Sequence, residues 1–441
     1  MRKITYVLAL YIITISCNAQ DELSLKLGKL MDEFNSQELF SGVVVLCNEE
    51  TPVYEKTFGY ADWDNKIPNN KETLFNICSI TKAFTKTMIL QLEKEGKLRF
   101  DDPLSKYLSL YDNETDNKIT IQMLLDMKAG LGDYLQDSEF NKNPHKFKTI
   151  NDFLEIIKNE PLLFEPGTSQ RYSNSGYVVL GGIIEKATGK SYEENLRERI
   201  LEPRGMKNTY FMRHDDKVPN TAISAYLDYT GIKTNAPFHA SPSPAGGIYT
   251  NTADLLKFYK VLKEASVFPE TFVIAGGTDT WNSVLGHYKN GYTLLILGNF
   301  GRMALEIEKR FEHILKGEAY SKPMPPVETE FYSALTGKGP GYLKDHFRGI
   351  LDSYGLKYND MHLNMFGYQL MNKKDIDLAI EVFKINTDLF PDVPNVWDSL
   401  GEAYMKNGDK SLAIENYRKV LELEPNNQHA KMMLDKLESQ K

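Results

Sequence analysis

The chain has 441 residues, of which 41% are hydrophobic and 25% are charged, and its formal net charge is -8. These values are typical of a globular protein, and the length predicts two or three domains with enough residues for a large core. The acidic balance, with no basic stripe along the sequence, argues against a surface that binds nucleic acid. We therefore expect partners other than nucleic acid.

Residues 1–19 have the pattern of an export signal. Basic residues precede a short apolar run, 4–15, which is too short to cross a bilayer. Cleavage after Ala19 would free the mature protein. A lipid on Cys17 would instead tether it, since Ile15-Ser16 partly resembles a lipoprotein cleavage box, and the sequence leaves both outcomes open. In either case we expect an exported protein, periplasmic or secreted, with the lipoprotein form attached to a membrane.

The first predicted elements are a helix and a strand hairpin. Apolar residues recur at helix spacing over 21–40, and two short runs, 43–47 and 53–60, follow as strands with a polar turn between them. A helical pattern then extends from Ala83 to Glu95 and ends at a glycine. A strand hairpin that leads to a helix predicts an α/β or α+β fold.

The middle of the chain combines helical patterns with Gly- and Pro-rich turns. Residues 119–200 are mostly helical, and a further helix is predicted over 252–261 with its first threonine as the N-cap. Two strands follow at 283–288 and 292–297, joined by a Lys-Asn-Gly turn that is typical of a hairpin. A last helix of this part is predicted over 306–315.

The sequence changes character after residue 320. A Pro-rich segment predicts a linker over 321–340, and an internal repeat follows within 341–441. Pairs of similar residues stand 34 apart, namely Gly367 and Gly401, Ala379 and Ala413, Phe383 and Tyr417, and Pro391 and Pro425. With the pattern Trp397-x-x-Leu400-Gly401-x-x-Tyr404, this period resembles the tetratricopeptide repeat, a helix-turn-helix unit that implies an all-α domain and a protein partner. The alternative is two unrelated amphipathic hairpins.

The segment Ser79-Ile80-Thr81-Lys82 carries a candidate catalytic pair. It lies between an extended run and a helical pattern, so the spacing places Ser79 and Lys82 on one face of a helix near its N-terminus. A hydroxyl beside an amine that accepts its proton is a nucleophile with its base. Burial and the helix N-terminus would both favour a neutral Lys82. The alternative is structural, with Ser79 as an N-cap and Lys82 as a solvated charge.

A second candidate segment is Tyr172-Ser173-Asn174, which follows a tight turn at 165–168. A tyrosine near a lysine can relay a proton, and an asparagine can hold a lysine or a substrate carbonyl. The alternative is that Tyr172 is a packed aromatic residue of the core.

Between Gly42 and Asn299 six segments occur in a characteristic order, namely 74–82, 96–103, 119–121, 165–167, 172–177 and 245–247. Together they resemble the serine beta-lactamase and penicillin-binding-protein-like family, in its class C and esterase branch. The resemblance implies an α+β fold within residues 21–320, with an antiparallel sheet flanked by helices and a helical region inserted near 101–240. It also implies a covalent acyl-enzyme on Ser79, with Lys82 and Tyr172 as the groups that handle protons.

The sequence departs from this family at its third motif. The family has a Lys-Thr-Gly or His-x-Gly triplet on a strand beside the serine, whereas the best match is Ile274-Ala275-Gly276, followed by Gly277 and Thr278. A backbone N–H, expected at Gly277, can still stabilise an oxyanion. We expect Asn174, Gly276, Gly277 and Thr278 to contact substrate. The missing basic residue argues against recognition of a substrate carboxylate. A second departure is Met127-Lys128-Ala129-Gly130, where relatives often have His-Thr-Ser-Gly.

Other site types receive little support from the sequence. Cys47 and Cys78 are expected to be small buried residues rather than a disulfide framework. The histidines show no metal-binding spacing and no phosphate-binding glycine loop is present, so we expect neither a metal nor another cofactor. The sequence predicts an exported serine hydrolase that acts on an ester or amide of a small molecule or peptide. The alternative is a binding protein that keeps the fold and has lost turnover.

Overall fold

The computed structural model describes residues 22–213, 216–237, 241–301 and 303–439. The predicted signal peptide and the candidate lipid site at Cys17 therefore lie outside the described residues. The chain divides into two compact units. The first comprises the chain up to Tyr226 together with Lys233–Pro323, and the second comprises Leu227–Ile232 and the chain from Met324 onward.

The described strands belong to the first unit, except that one of them ends at Leu227, which belongs to the second unit. In chain order they are β1 (Gly42–Asn48), β2 (Thr51–Phe58), β3 (Tyr60–Asp62), β4 (Ile67–Pro68), β5 (Phe75–Asn76), β6 (Tyr210–Phe211), β7 (Ala225–Leu227), β8 (Lys233–Asn235), β9 (Ile248–Thr250), β10 (Phe272–Gly277), β11 (Asn282–His287) and β12 (Tyr292–Gly298). Five of them form the main sheet in the order β10-β11-β12-β1-β2, and its neighbouring strands are all antiparallel.

Strand β1 shows why this sheet is the centre of the first unit. Its residues are almost all buried, because helices cover both faces of the sheet. Val43 and Val45 pack in one apolar cluster, and Val44 and Leu46 pack in the other, as the alternation of side chains along a strand requires. A continuous apolar run is the expected sequence of such a strand.

The helices of the first unit lie before, within and after the sheet. They are α1 (22–36), α2 (Thr81–Lys94), α3 (Asn113–Lys118), α4 (Ile121–Leu125), α5 (Ser138–Lys142), α6 (Ile150–Ile157), α7 (Asn174–Thr188), α8 (Tyr192–Leu196), α9 (Thr252–Glu264) and α10 (Met303–Lys316). Helices α2 to α9 are inserted between β2 and β10. The predicted α+β fold, an antiparallel sheet flanked by helices with an inserted helical region, is confirmed.

One predicted helix start is wrong by one residue. The N-cap of α9 is Asn251 rather than Thr252, because the Asn251 side chain accepts a hydrogen bond from the Asp254 N–H (2.9 Å). Asparagine and threonine are both good N-caps, so the sequence pattern alone does not separate these two positions.

The second unit is a series of helices. They are α11 (Val327–Lys338), α12 (Pro340–Ser353), α13 (Met361–Asn372), α14 (Ile376–Leu389), α15 (Pro394–Asn407), α16 (Lys410–Leu423) and α17 (Gln428–Ser439). The prediction of a linker over 321–340 is wrong for most of that range. Its prolines suggested an open chain, but Val327, Phe331 and Leu335 recur at helix spacing and are buried in the core of this unit.

The 34-residue period has a packing explanation. Gly367 lies against the ring of Phe383, so closely that a Cβ would approach it to 2.4 Å. One period later, a Cβ at Gly401 would lie 3.3 Å from the ring of Tyr417. In each hairpin a glycine on the first helix therefore admits an aromatic side chain from the second. Within the described ranges, no helix is long and apolar enough to cross a membrane.

Candidate active site

The candidate nucleophile Ser79 lies in a tight turn between β5 and α2. Cys78–Ile80 form a 3-10 turn whose first residue has a φ of 47°, in the left-handed region. Asn76 stabilises the turn, because its Oδ1 accepts a hydrogen bond from the first N–H of the turn (2.8 Å). Helix α2 begins at Thr81, and the residue before it is an N-cap without a side-chain bond. The alternative of Ser79 as the helix N-cap is therefore wrong.

Lys82 lies in the first turn of α2 and is only 6% exposed. Its Nζ contacts three oxygens, namely Ser79 Oγ (3.0 Å), Asn174 Oδ1 (2.7 Å) and the carbonyl oxygen of Ala245 (2.7 Å). Burial lowers the pKa of Lys82 to about 7, although the charge of Asp133 offsets part of this shift. The alternative of a solvated charge is therefore wrong, and the amine is suited to accept the proton of Ser79.

Tyr172 reaches the same hydroxyl from the other side. Its phenol oxygen lies 2.7 Å from Ser79 Oγ, and 51% of its surface is exposed. Desolvation raises the pKa of Tyr172, against the opposing effect of its hydrogen bond with Ser79. The phenol therefore stays protonated near neutral pH. Of the two groups that contact Ser79, Lys82 is the one suited to be the base.

Backbone hydrogen bonds hold the loop that carries Tyr172. The carbonyl oxygens of residues 127, 128 and 130 accept bonds from the N–H groups of residues 171, 167 and 163. Gly130 has a φ of 81°, and a Cβ there would lie 2.3 Å from the Phe164 carbonyl oxygen. The segment Met127-Lys128-Ala129-Gly130, which departs from the expected pattern in its side chains, therefore keeps a structural role through its backbone.

Helix α7 begins at Asn174, whose side chain joins Lys82 to the carboxylate of Asp133. Three consecutive residues at this helix start bind three consecutive residues of a neighbouring loop. The bonds are Ser173 Oγ to the Gly132 carbonyl oxygen (2.7 Å), Asn174 Nδ2 to Asp133 Oδ2 (2.7 Å) and Tyr134 N–H to Ser175 Oγ (2.9 Å). The asparagine is thus fixed by both of its neighbours and by its own amide.

A glycine turn delivers the Ala245 carbonyl oxygen to Lys82. Ser243 and Gly246 exchange two backbone hydrogen bonds (2.7 and 3.0 Å), which tighten this turn. The turn also packs closely on α7, because a Cβ at Gly181 would lie 2.2 Å from the Pro244 ring. Glycine at position 181 is therefore needed for α7 and the turn to reach Lys82 together.

Strand β10 contains Ile274-Ala275-Gly276, the match to the third motif, and lies beside the candidate nucleophile. A Cβ at Gly276 would lie 2.2 Å from the Ile77 carbonyl oxygen and 2.7 Å from the Ser79 nitrogen, so only glycine fits there. Ile274, two residues earlier, lies on the same face of the strand, at the position expected for the missing basic residue. The residues Ile274-Ala275-Gly276 therefore lie on a strand beside Ser79, and their match to the third motif stays a prediction.

A cavity of about 340 Å³ opens beside Ser79. Its walls come from β5, β10, the residues 134–135, the Tyr172 loop, the start of α7 and the glycine turn. The lining residues are Asn76, Cys78, Ser79, Tyr134, Leu135, Tyr172, Asn174, Ser241, Ala245, Gly246, Gly247, Gly277 and Thr278. Among the described residues, no charged side chain lines it. Gly276 is not part of the lining: it packs behind the nucleophile, which corrects its prediction as a substrate contact.

Cys78 is not a rival nucleophile. It is buried, and burial raises the pKa of its thiol to about 12. A thiol that stays protonated is a poor nucleophile. Cys47 is likewise buried and free, so both described cysteines are small core residues.

Comparison with known proteins identifies the family of this chain. Residues 27–300, more than half of the chain, match the family model described as beta-lactamase. The chain belongs to the beta-lactamase family. Residues 395–427 match the tetratricopeptide-repeat model, which confirms the predicted repeat region. The equivalent packing of Gly367 and Gly401 argues against two unrelated hairpins.

Individual members of the family are similar over the first unit. A Bacillus subtilis protein designated penicillin-binding protein PbpX is 32% identical over 234 residues, which are 52% of this chain and 57% of that protein. A penicillin-binding protein from Bacillus halodurans superposes with a TM-score of 0.59 at 22% identity, over 65% of this chain and 98% of that one. A D-amino acid amidase from Ochrobactrum anthropi SV3 gives 0.56 at 21%, over 66% and 99%. The chain spans about half the length of the curated relatives it matches.

Several site groups could not be found from the sequence motifs. Asp133 lies 41 residues before Asn174 in the chain, and no pattern joins the two. The Ala245 carbonyl oxygen is a backbone group, so its role depends on the path of the turn and not on the residue type. Tyr134 and Leu135 line the cavity from a loop to which the sequence assigned no function.

Proposed function

We propose that the first unit is a serine hydrolase that forms an acyl-enzyme on Ser79 and acts on an ester or amide without a negatively charged recognition group. The observation that carries this proposal is the contact of Ser79 Oγ with both Lys82 Nζ and the Tyr172 phenol. A hydroxyl between a base and a proton donor is the arrangement that nucleophilic catalysis needs.

In the proposed acylation, Ser79 Oγ forms a bond to the substrate carbonyl carbon while Lys82 Nζ accepts the hydroxyl proton. The N–H groups of Ser79 and Gly277 would stabilise the oxyanion, since both residues border the cavity. The bond to the leaving group then breaks, and that group takes a proton from Lys82 by way of the Tyr172 hydroxyl. A water molecule repeats these steps on the acyl-enzyme and releases the acid and free Ser79.

The lining of the cavity supports the substrate class. A substrate carboxylate is usually held by a cation, and neither Ile274 nor Thr278 provides one. Apolar and uncharged polar groups form the described walls, which favours an uncharged acyl group. The D-amino acid amidase among the structural neighbours is complexed with L-phenylalanine amide, which supports an amide as one class of ligand for this fold.

A fluorophosphonate probe with mass spectrometry tests the proposal. We expect the probe to label Ser79, and the Ser79→Ala variant to remain unlabelled. A panel of neutral esters and of carboxylate-bearing substrates, such as benzylpenicillin, then tests the substrate class, and the neutral esters should react faster. An unlabelled, correctly folded protein would instead support the second candidate, a binding protein without turnover, which the missing basic residue of β10 favours.

We further propose that the protein is exported and that its repeat unit binds a protein partner. The N-terminal sequence pattern and the relatives named as penicillin-binding proteins support export. The tetratricopeptide repeat supports a protein ligand for the second unit. Fractionation of cells, followed by mass spectrometry of the mature N-terminus, distinguishes cleavage after Ala19 from a lipid on Cys17.

A further inference from the structure

We infer that Asp133 is a positioning residue for the base: its carboxylate fixes the amide of Asn174, which directs the electron pair of Lys82 onto Ser79. This inference rests on the proposed function, because it concerns the base of that reaction. It adds a residue that lies outside the three motifs and touches neither the nucleophile nor the cavity beside it.

The hydrogen bonds of Lys82 give the first step. A neutral amine has two N–H donors and one electron pair. Two of its three neighbours, Asn174 Oδ1 and the Ala245 carbonyl oxygen, can only accept hydrogen bonds. These two oxygens therefore take both N–H groups. The electron pair is left facing Ser79 Oγ, the one neighbour that has a proton to donate.

This arrangement depends on the orientation of the Asn174 amide. If the amide were reversed, its NH₂ would face Lys82 and would donate to the electron pair that the reaction needs. A carboxylate is an acceptor only, so Asp133 Oδ2, at 2.7 Å, can pair with Nδ2 but not with Oδ1. Asp133 thereby excludes the reversed orientation.

Asp133 is itself held in place. Its Oδ1 accepts a hydrogen bond from the Leu135 N–H (3.1 Å), which caps the turn Tyr134–Gln136. The loop is also bonded to Ser173 before Asn174 and to Ser175 after it. The carboxylate is thus fixed relative to the helix start that it orients, which is the condition for a positioning role.

The charge of Asp133 also bears on the titration of Lys82. The titratable groups around the amine are Asp133, Cys78, Tyr172 and Tyr177, and Asp133 is the one carboxylic acid among these four. Its negative charge favours the protonated amine. Removing that charge should therefore lower the pH at which Lys82 titrates.

The test compares Asp133→Asn with Glu160→Gln. An asparagine can keep the cap on the turn, but its amide can either donate or accept, so it no longer fixes the orientation of Asn174. Glu160 lies beside the same loop, because a Cβ on Gly132 would lie 2.8 Å from its Oε2. Glu160→Gln therefore removes an equal charge near Asp133 without changing a contact of Asn174. Two readouts are needed: the pH profile of Ser79 labelling and the ¹³Cε titration of Lys82, assigned by its loss in Lys82→Ala.

For Asp133→Asn we expect labelling on the high-pH plateau to fall about tenfold, part of the ~10²–10⁴-fold that a general base contributes. Its acidic limb and the Lys82 titration should both move to lower pH, and Glu160→Gln should change neither. Because Asp133 is inferred to act through Asn174, the double variant Asp133→Asn/Asn174→Ala should lose no more labelling than Asn174→Ala alone. Wild-type behaviour of Asp133→Asn, or a full additive loss in the double variant, would overturn the inference.

The NMR readout separates this inference from the proposed function. In a protein whose Ser79 is never labelled, a change of the Asn174 side-chain NH₂ resonances in Asp133→Asn, with those resonances unchanged in Glu160→Gln, would refute the hydrolase and keep the positioning role. Should Asp133→Asn fail to fold, the wild-type protein still decides. The Asn174 Nδ2 proton that is bonded to Asp133 should exchange with solvent more slowly than the other proton of that amide, and equally fast exchange of the two would contradict the inference.

Discussion

The two sides of the cavity beside Ser79 differ in how firmly their side chains are held. On the proton-handling side, Lys82 and Asn174 are buried and bonded to each other, to the nucleophile and to a neighbouring loop. On the other side, β10 is an edge strand of the sheet that the described residues form. Because the first side is interlocked, one substitution there disturbs several contacts. On the edge strand a residue such as Ile274 can change without disturbing the base.

The largest expected effect is on the interlocked side. Lys82→Ala removes the base and should lower the rate of Ser79 labelling about 10²–10⁴-fold. Lys128→Ala is the matched control, because Lys128 contributes its backbone carbonyl to the loop and that group remains. Probe labelling followed in time measures both variants. Equal rates for the two variants would remove Lys82 from its proposed role.

The next effect is a loss of stability where β10 packs against the turn that contains Ser79. Gly276→Ala places a Cβ against the backbone of Ile77 and Ser79, and overpacking of this kind costs about 1–3 kcal/mol. A Cβ at Gly277 meets its nearest atom at 3.3 Å, so Gly277→Ala should lose less stability. Chemical denaturation of both variants measures the difference. A Gly276→Ala protein as stable as the wild type would show that the strand can move away from the nucleophile.

An effect of similar size tests the edge strand as the side that recognises substrate. Ile274→Lys restores a cation at the third motif, and a hydrogen bond to a charged group contributes about 1.5–3 kcal/mol. We expect acylation by benzylpenicillin to rise about 10- to 100-fold relative to a neutral ester. Val273→Lys is the control, because Val273 lies on the opposite face of the strand and is already 40% exposed. An equal gain in both variants would point to a non-specific charge effect.

The smallest change is the response of the interlocked side to pH. Because the neutral form of Lys82 is the proposed base, labelling should fall about tenfold per pH unit below a pKa of about 7.

The same pKa predicts how stability depends on pH. The pKa of Lys82 in the folded protein lies below its unfolded value of 10.5, so the unfolded chain binds more protons between these two values. The Lys82 contribution to stability therefore rises with pH across this window. In Lys82→Met this rise should be absent, as denaturation at several pH values can show.

Short-range patterns in the sequence determined a large part of this protein. The spacing of Ser79 and Lys82, the apolar run of β1 and the 34-residue period each depend on local chemistry or on a repeat, and each is readable from residue types alone. The repeat region followed from such a pattern, whereas the α+β fold was implied by the resemblance of six ordered segments to a known family. The prediction of a linker was wrong over 327–338, because it gave more weight to the prolines before this segment than to its apolar residues at helix spacing. The packing of those residues in the core of the second unit shows that they form a helix.

Only the tertiary structure decided the pKa and the hydrogen-bond partners of Lys82. Burial of Lys82 by α7 and the glycine turn lowers its pKa, and burial depends on elements that are distant in the chain. The contacts of Asp133 with Asn174 and of Ala245 with Lys82 span 41 and 163 residues. The sequence supplied the proposed nucleophile and base, whereas the fold supplied the burial that lowers the pKa of Lys82 and the contacts that we infer direct it toward Ser79.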